Sequence, residues 1–290
     1  MEKIVLSIII VNYNTKDLLR RCLESIHKAN IDFKYEVIVV DNGSGDGSAG
    51  MVKREFKKAK VLESKENVGF SKGNNLGIKE AKGEYILLLN SDTVVFKNTL
   101  KGMLDFMRKN KKAGVATCRV ELEDGVLDKA CHRGFPTAWN AFCFYLGLER
   151  LFGKSKMFSG YHLGYLNLDE VHQIDSPTGA FYLIRRKILD QVGVLDEDYF
   201  MYGEDLDLSF RVKKAGWKIY YVPDYKIIHY KKRSGRKAKD RKLKKKIDEY
   251  FYETMKLFYK KHYEDKYPKI VLWFVFLAVD VKKNLARMFS

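Results

Sequence analysis

Tyr85-Ile86-Leu87-Leu88-Leu89-Asn90-Ser91-Asp92 is the stretch on which the reading of the fold turns. An apolar run ends abruptly in three polar residues. The run is strand length and short for a helix, and its unbroken hydrophobicity predicts a buried parallel strand. In open α/β sheets, ligands bind just beyond the carboxyl ends of such strands. Asp92 therefore falls where a carboxylate can hold a divalent cation against a phosphate. It also reads as a plain cap of the next helix, and the stretch alone does not choose.

Working outward, the first 120 residues alternate strand and helix. Residues 4–11 form an apolar, β-branched strand that ends in Asn12-Tyr13-Asn14. Thr15 is expected to cap a helix over 16–28, with Leu18, Leu19, Cys22, Leu23 and Ile26 on one face. Strands over 36–40 and 59–63 alternate with helices over 48–57 and 71–81, and Gly83 closes the latter. A helix over 98–110 and a strand over 114–120 follow. This βα alternation predicts a mostly parallel central sheet with helices on both faces. Residues 121–175, rich in aromatics such as Phe135, Trp139 and Phe142, read as an insertion or mobile loop region. Alternation resumes at 176–184, with helices over 185–191 and 204–215. A strand over 218–222 is stopped by Pro223, and a strand-like segment over 225–228 leads to His229.

Composition narrows the class. The chain has 290 residues, 46% hydrophobic, with four prolines, which describes a globular protein. The net charge of +17 implies an acidic partner: nucleic acid, anionic lipid or a phosphorylated substrate. Cys22, Cys118, Cys131 and Cys143 form no C-x-x-C pair and read as free thiols of a reducing compartment. Met1-Glu2-Lys3 leads directly into a strand, so no signal peptide is expected. No stretch reaches the roughly 18 apolar residues of a membrane span.

Two loops carry candidate chemistry. Asp41-Asn42-Gly43-Ser44-Gly45-Asp46-Gly47 follows the second strand. It fails as a dinucleotide-binding loop because position 48 is Ser, and as a calcium loop because Gly43 and Gly45 hold ligand positions. A plain turn remains, or a carboxylate, Asp41, that accepts a base N–H or a ribose hydroxyl. The segment from Glu66 to Gly77 combines amides, glycines and Lys72 at a helix start, which reads as an anion site.

In order along the chain, Val11-Asn12-Tyr13-Asn14, Asp41-Asn42-Gly43-Ser44, Asn67-x-Gly69-Phe70, Gly73-Asn74-Asn75-x-Gly77 and Asn90-Ser91-Asp92 resemble the motif series of family 2 glycosyltransferases. The likeness is greatest to the rhamnosyltransferase-type branch and covers about the first 230 residues. It implies the GT-A fold of nucleotide-diphospho-sugar transferases. Asn90-Ser91-Asp92 matches the family's D-x-D motif with Asn90 at the first acid, so Asp92 is the implied metal ligand, with Asn90 and Ser91 beside the donor. Tyr13, Asp41 and Asn67 would hold the nucleoside, with Lys72 and Asn74 nearby. Thr178-Gly179-Ala180-Phe181 resembles the acceptor-side loop, and Arg133, in a segment similar to the family's Arg-x-x-Pro, would touch a phosphate or the acceptor. Glu204-Asp205 matches the E-D motif, which implies Asp205 as catalytic base with Glu204 holding the acceptor or tuning its neighbour. Three acids within four positions at a helix start also complement its dipole without any catalytic role. Chemically, a sugar hydroxyl is a poor nucleophile, and a carboxylate that removes its proton contributes roughly 10²–10⁴-fold. His229 sits where the family supplies a histidine to the metal, Mn²⁺ or Mg²⁺, although a lone histidine is also an ordinary core or surface residue. Imidazole suits Mn²⁺ better than Mg²⁺.

Residues 231–246 hold eleven Lys or Arg and one Asp. They read as a solvated charge run, a nucleic-acid contact or a membrane contact. The downstream segment 270–279, with Trp273, Phe274 and Phe276 and then Lys282, Lys283 and Arg287, favours an anionic membrane interface or packing on the catalytic domain. The expected organisation is a catalytic domain over 1–230 and a basic helical extension over 231–290. The expected activity is inverting transfer from a dTDP- or UDP-sugar, dTDP-rhamnose included, to a hydroxyl of a glycan or lipid-linked oligosaccharide in cell-surface polysaccharide synthesis. The expected location is cytoplasmic, peripheral on the inner face of the membrane, with no nucleic acid bound. Competing readings are a nucleotidyltransferase, whose basic glycine-rich loop would stand where Asn12-Tyr13-Asn14-Thr15 stands, and a basic nucleic-acid-binding protein.

Overall fold

The computed structural model describes residues 3–231 and 241–288. The opening stretch is strand β4 (Tyr85–Leu89), with every side chain buried. It pairs in parallel with β1 (Leu6–Asn12), from Leu6 opposite Tyr85 to Ile9 opposite Leu88. On the far side of β1 lie β2 (Tyr35–Asp41) and β3 (Lys60–Glu63), both parallel to it. On the other side of β4 the order continues β8 (Phe181–Arg185), β6 (Ala113–Leu122), β9 (Lys218–His229) and β5 (Thr93–Val95), while β7 (His172–Ile174) pairs with the start of β9. Because β8 is antiparallel to both β4 and β6, and β6 is parallel to β9, strands β1, β2, β3, β4, β6 and β9 share one direction. The sheet is thus mostly parallel, as the alternation predicts.

The apolar faces of α1 (Lys16–His27) and α4 (Thr99–Lys109) cover this sheet, with Leu19, Cys22, Leu23 and Ile26 from one and Leu100, Met103, Leu104 and Met107 from the other joining a single core. Each such side chain contributes roughly 1.5–3 kcal/mol on full burial. Helices α2 (Ser48–Glu55) and α3 (Phe70–Glu80) complete the first half. Helices α7 (Arg186–Val192) and α8 (Glu204–Lys214) belong to the second half. All four cysteines are free and buried.

Three local expectations are corrected. Thr15 does not cap α1 with its side chain; its hydroxyl donates to Asn12 Oδ1 at 2.6 Å, and Asp46 Oδ2 instead accepts from the backbone N–H of Lys16 at 2.8 Å. A carboxylate from the neighbouring loop reaches the helix start and suits the dipole better than a hydroxyl does. Pro223 does not stop β9. The register jumps from Cys118 opposite Val222 to Arg119 opposite Lys226, so Pro223, Asp224 and Tyr225 bulge out of the ladder, where a missing N–H costs nothing. Finally, region 121–175 is not an irregular insertion throughout. It completes β6 and carries α5 (Ala138–Tyr145), α6 (Leu148–Leu151) and β7.

The C-terminal helices α9 (Arg241–Tyr263) and α10 (Lys269–Met288) form an antiparallel hairpin. The descending series Lys256–Asp280, Glu253–Lys283 and Glu249–Arg287 sets its register. Phe258, Tyr259, Tyr263 and Leu272 make a second apolar cluster that packs on Phe135, Leu206 and Phe210. Helix α9 is thereby seated on α8 and on the aromatic region. Among the described residues, no helix is long and apolar enough to cross a membrane.

Candidate active site

At the end of β4 the chain turns through Asn90-Ser91-Asp92 into β5, which pairs with the last residues of β9, Thr93 lying opposite His229. That pairing brings two buried groups together: Asp92 is 3% exposed and His229 4%. His229 Nε2 lies 3.1 Å from Asp92 Oδ1, and its Nδ1 lies 3.2 Å from Asp128 Oδ2. Lys231 Nζ reaches the same Asp128 carboxylate at 2.7 Å. Burial alone would push the His229 imidazole down, but the hydrogen bonds of Asp128 and Asp92 outweigh it and hold the ring above its ordinary value. Burial would likewise raise Asp128, yet His229 and Lys231 hold that carboxyl far below the usual range.

The donor set fits a divalent cation. With Nδ1–H held by Asp128, the Nε2 edge of the ring faces Asp92 and, at 3.3 Å, the side-chain amide of Asn90. Asn90 Oδ1 is buried without a hydrogen-bond partner. A half-turn of that amide directs the oxygen to the same point. Loss of the Nε2 proton then exposes a lone pair beside a carboxylate and an amide oxygen. Among the described residues, no group of three or more His, Cys, Asp or Glu side chains converges on one metal position, so further ligands would come from substrate oxygens or water. Asp128 is absent from the sequence reading. It lies in the aromatic region outside any local motif, and only the β6–β9 pairing brings it to His229.

A second cluster lies at the start of α8. Tyr202 and Gly203 take consecutive left-handed conformations, φ 70° and 85°. A tyrosine rarely adopts this region, and such strain concentrates at functional sites. The turn directs Glu204 and Asp205 inward, 5% and 9% exposed. Asp205 Oδ2 accepts from Arg133 Nη2 at 2.8 Å and from the Gly179 N–H at 3.3 Å, and Oδ1 accepts from the Leu206 N–H at 2.8 Å. Arg133 also donates to the Pro177 carbonyl at 2.6 Å. Glu204 behaves differently. Burial, reinforced by the charge of Asp205, pushes its carboxyl up to about 8, and its Oε2 is buried without a partner. Arg133, Thr178, Gly179, Glu204 and Asp205 thus meet at one wall.

On the side expected to hold the nucleoside, Tyr13 (43% exposed), Asn42 and Asn67 line the cavity. Asn42 Nδ2 donates to Asn67 Oδ1 at 2.9 Å, and Asn42 Oδ1 accepts from the Val68 N–H at 3.0 Å, so the amides hold the two loops to each other. Asp41 is buried just behind them, accepting from Asn12 Nδ2 and the Ser44 N–H, both at 3.1 Å. Lys72 and Asn74 depart from expectation and do not line the cavity. Lys72 is exposed on α3, and Asn74 is buried with its Nδ2 donating to the Phe70 carbonyl at 2.9 Å. The start of α3 is not an open anion site either, because the Phe200 carbonyl accepts from the Phe70 N–H at 2.6 Å. Gly69 permits that approach: its φ is 92°, and a Cβ there would stand 2.6 Å from the Phe200 oxygen. The amides of Asn74 and Asn75 read as ligand groups in sequence, but they wire α3 to its surroundings, donating to the Phe70 and Leu195 carbonyls.

One cavity of about 1260 Å³ joins these clusters. Its remaining wall is aromatic and includes Tyr145, Tyr161, Phe200 and, from α9, Tyr250, Phe251 and Tyr259. The contribution of α9 to the wall was not foreseen from sequence, where the same side chains read only as one apolar side of a helix.

The family model for glycosyl transferase family 2 matches residues 7–193. An N-acetylglucosaminyl-diphospho-decaprenol L-rhamnosyltransferase of Mycobacterium tuberculosis is 27% identical over 245 residues, covering 79% of this chain and 77% of the relative. The rhamnosyltransferase WbbL of Escherichia coli K12 is 28% identical over 234 residues, covering 77% and 82%. Among solved structures, GalNAc-T7 with UDP, GalNAc and Mn²⁺ superposes with a TM-score of 0.60 at 18% identity, covering 79% of this chain and 44% of that one. Residues 1–349 of S. aureus TarS in complex with UDP-GlcNAc give 0.56 at 21% identity, covering 88% and 65%. These neighbours establish the GT-A fold. With the family model matching well over half of its 290 residues, and with two rhamnosyltransferases among its relatives, the chain belongs to glycosyltransferase family 2.

Proposed function

We propose that this glycosyltransferase is metal-dependent and inverting, and moves a sugar from a dTDP- or UDP-sugar, dTDP-rhamnose included, to a hydroxyl of a glycan or lipid-linked oligosaccharide in cell-surface polysaccharide synthesis. The observation that carries the reading is that one cavity holds both the Asp92–His229 pair and the Glu204–Asp205 pair. The two rhamnosyltransferase relatives, one named for a diphospho-decaprenol acceptor, support the donor and acceptor classes. The nucleotide- and Mn²⁺-bound neighbours support the donor side.

Asp92 and His229 would hold Mn²⁺ or Mg²⁺, with Asn90 and Ser91 beside them. When bound, the cation offsets the negative charge that builds on the departing diphosphate. Tyr13 and Asn67 face the nucleoside, with Asp41 buried behind. Asp205 takes the acceptor proton. As it does so, the acceptor oxygen forms its bond to C1, and the C1–O bond to phosphate breaks with its electron pair leaving on the nucleoside diphosphate. Attack opposite the leaving group inverts the anomeric carbon. Arg133 and the Gly179 N–H hold the Asp205 carboxylate in one orientation. Burial and the charge of Asp205 favour the protonated form of Glu204, which suits it to donate a hydrogen bond to the acceptor and leaves the role of base to Asp205.

Asp205→Asn is the test. Transfer should fall roughly 10²–10⁴-fold. Thermal shift with UDP or dTDP and Mn²⁺ should stay close to wild type. A fully active variant would end the role of Asp205.

A further inference from the structure

Helix α10 has two apolar faces. Leu272, Val275, Phe276 and Val279 turn inward, buried or partly buried. Trp273, Phe274, Leu277 and Val281 point outward and are exposed, as are Ile270 and Leu285. A surface helix normally carries charge on its outer face. Helix α5 packs beside α10, with Lys282 Nζ 5.8 Å from the Tyr145 ring, and the α5–α6 segment has the same abnormality. Of 19 large exposed apolar side chains among the described residues, 13 lie in these two segments, seven within 138–157 and six in α10. Patches of this kind mark a surface that meets another phase or partner.

Charge identifies the occupant. Residues 138–157 and 269–288 contain Arg150, Lys154, Lys156, Lys269, Lys282, Lys283 and Arg287 against two acids, Glu149 and Asp280. Both acids are engaged within the protein, Glu149 by His162 at 2.6 Å and Asp280 by Lys256 at 2.5 Å; Lys283 and Arg287 are likewise paired, with Glu253 and Glu249 of α9, so the outward positive charge rests on the exposed Arg150, Lys154, Lys156, Lys269 and Lys282. Basic residues around outward Trp and Phe side chains fit a helix lying in the interface of an anionic bilayer. A second copy of a chain carrying +17 would be repelled from the same face.

We propose that the α5–α6 segment and α10 form one membrane-docking face for an anionic bilayer, with the active-site cavity opening at its margin. Phe144, Tyr145 and Lys282 line the cavity at that boundary, so a lipid-linked acceptor reaches the cavity without leaving the surface. This use rests on the acceptor reading above; the docking face does not.

The three tryptophans supply the test. Trp139 and Trp273 lie on the face, 47% and 55% exposed. Trp217 lies at the start of β9, beside Lys187 and Gln191. Three single-tryptophan proteins, made by Trp→Phe substitution at the other two positions, are titrated with phosphatidylglycerol–phosphatidylcholine vesicles carrying brominated chains. Circular dichroism verifies the fold. Trp139 and Trp273 should both blue-shift and be quenched, Trp217 should not change, and affinity should fall about tenfold or more with pure phosphatidylcholine. Quenching of Trp273 without Trp139 would overturn the two-segment face, and quenching of neither would overturn docking. Equal binding to neutral vesicles would refute the anionic requirement. A dimer by light scattering, with both tryptophans blue-shifted before lipid is added, would show a second copy there instead. No donor or acceptor is present, so failure leaves the transferase reading untouched.

Discussion

His229 meets a carboxylate at each ring nitrogen, Asp92 at Nε2 and Asp128 at Nδ1. A carboxylate behind a ligating histidine fixes its tautomer and raises its basicity. Asp128→Asn should therefore weaken Mn²⁺ binding in the presence of UDP or dTDP by about 10–100-fold. Titration calorimetry reads this directly, and wild-type affinity would show that Asp128 does not orient the ring. Glu204 makes a second prediction. Unfolded, its carboxyl releases its proton near pH ~4.3; folded, it does so only near 8. Between those values the folded state holds the extra proton, so this group lowers stability as pH rises through the window and adds no further slope above it. Glu204→Gln has no proton to lose, so its melting temperature should fall less than wild type between pH 5 and pH 9. If Glu204 acts as a neutral donor, Gln retains much of that function, and activity should stay within about tenfold, unlike the loss expected for Asp205→Asn. A parallel fall in melting temperature would refute the displaced carboxyl.

Helix α9 is held to the catalytic body by a specific polar link as well as by apolar burial. His262 Nε2 lies 2.7 Å from Asp207 Oδ1, and Arg211 Nη2 lies 2.6 Å from Oδ2 of the same buried carboxylate. Burial would raise Asp207, but His262 and Arg211 hold it below the usual range. His262→Ala leaves Arg211 in place and removes one hydrogen bond to a buried charge, which costs about 1.5–3 kcal/mol. Urea unfolding should show that loss with an unchanged slope, and hydrogen exchange along α9 should quicken. Unchanged stability would mean that α9 is not coupled to α8 through this pair. Elements were the most legible scale in sequence, because helix and strand periods are local. β4 and the inward stripe of α1 are plain from residue spacing alone. Pro223 and Thr15 depart from local propensity for one reason: in each case a tertiary partner decides. A three-residue bulge accommodated the proline, and Asp46 took the capping place.

Across the whole molecule, the ordered motif series in the first half specifies the family, and the family specifies the GT-A sheet. Individual roles within those motifs were less legible. Asn90 and Asp92 face the cavity, whereas Lys72 and Asn74 do not, although all four stand in motifs that read equally well. An amide in a loop looks the same in sequence whether it meets a ligand or a neighbouring carbonyl, and only the hydrogen-bond partner distinguishes them. By itself the sequence determined the parallel half of the sheet, the carboxylates at strand and helix ends, and an apolar, basic C-terminus. These follow from residue spacing and charge, which act over a few positions. Tertiary structure alone decided that Asn90 meets His229 across 139 positions, that Arg133 pairs with Asp205 across 72, and that α9 walls the cavity while α10 keeps one apolar face outside. Those outcomes depend on strand register and on which faces remain uncovered after packing, and neither is encoded within any short window of the chain.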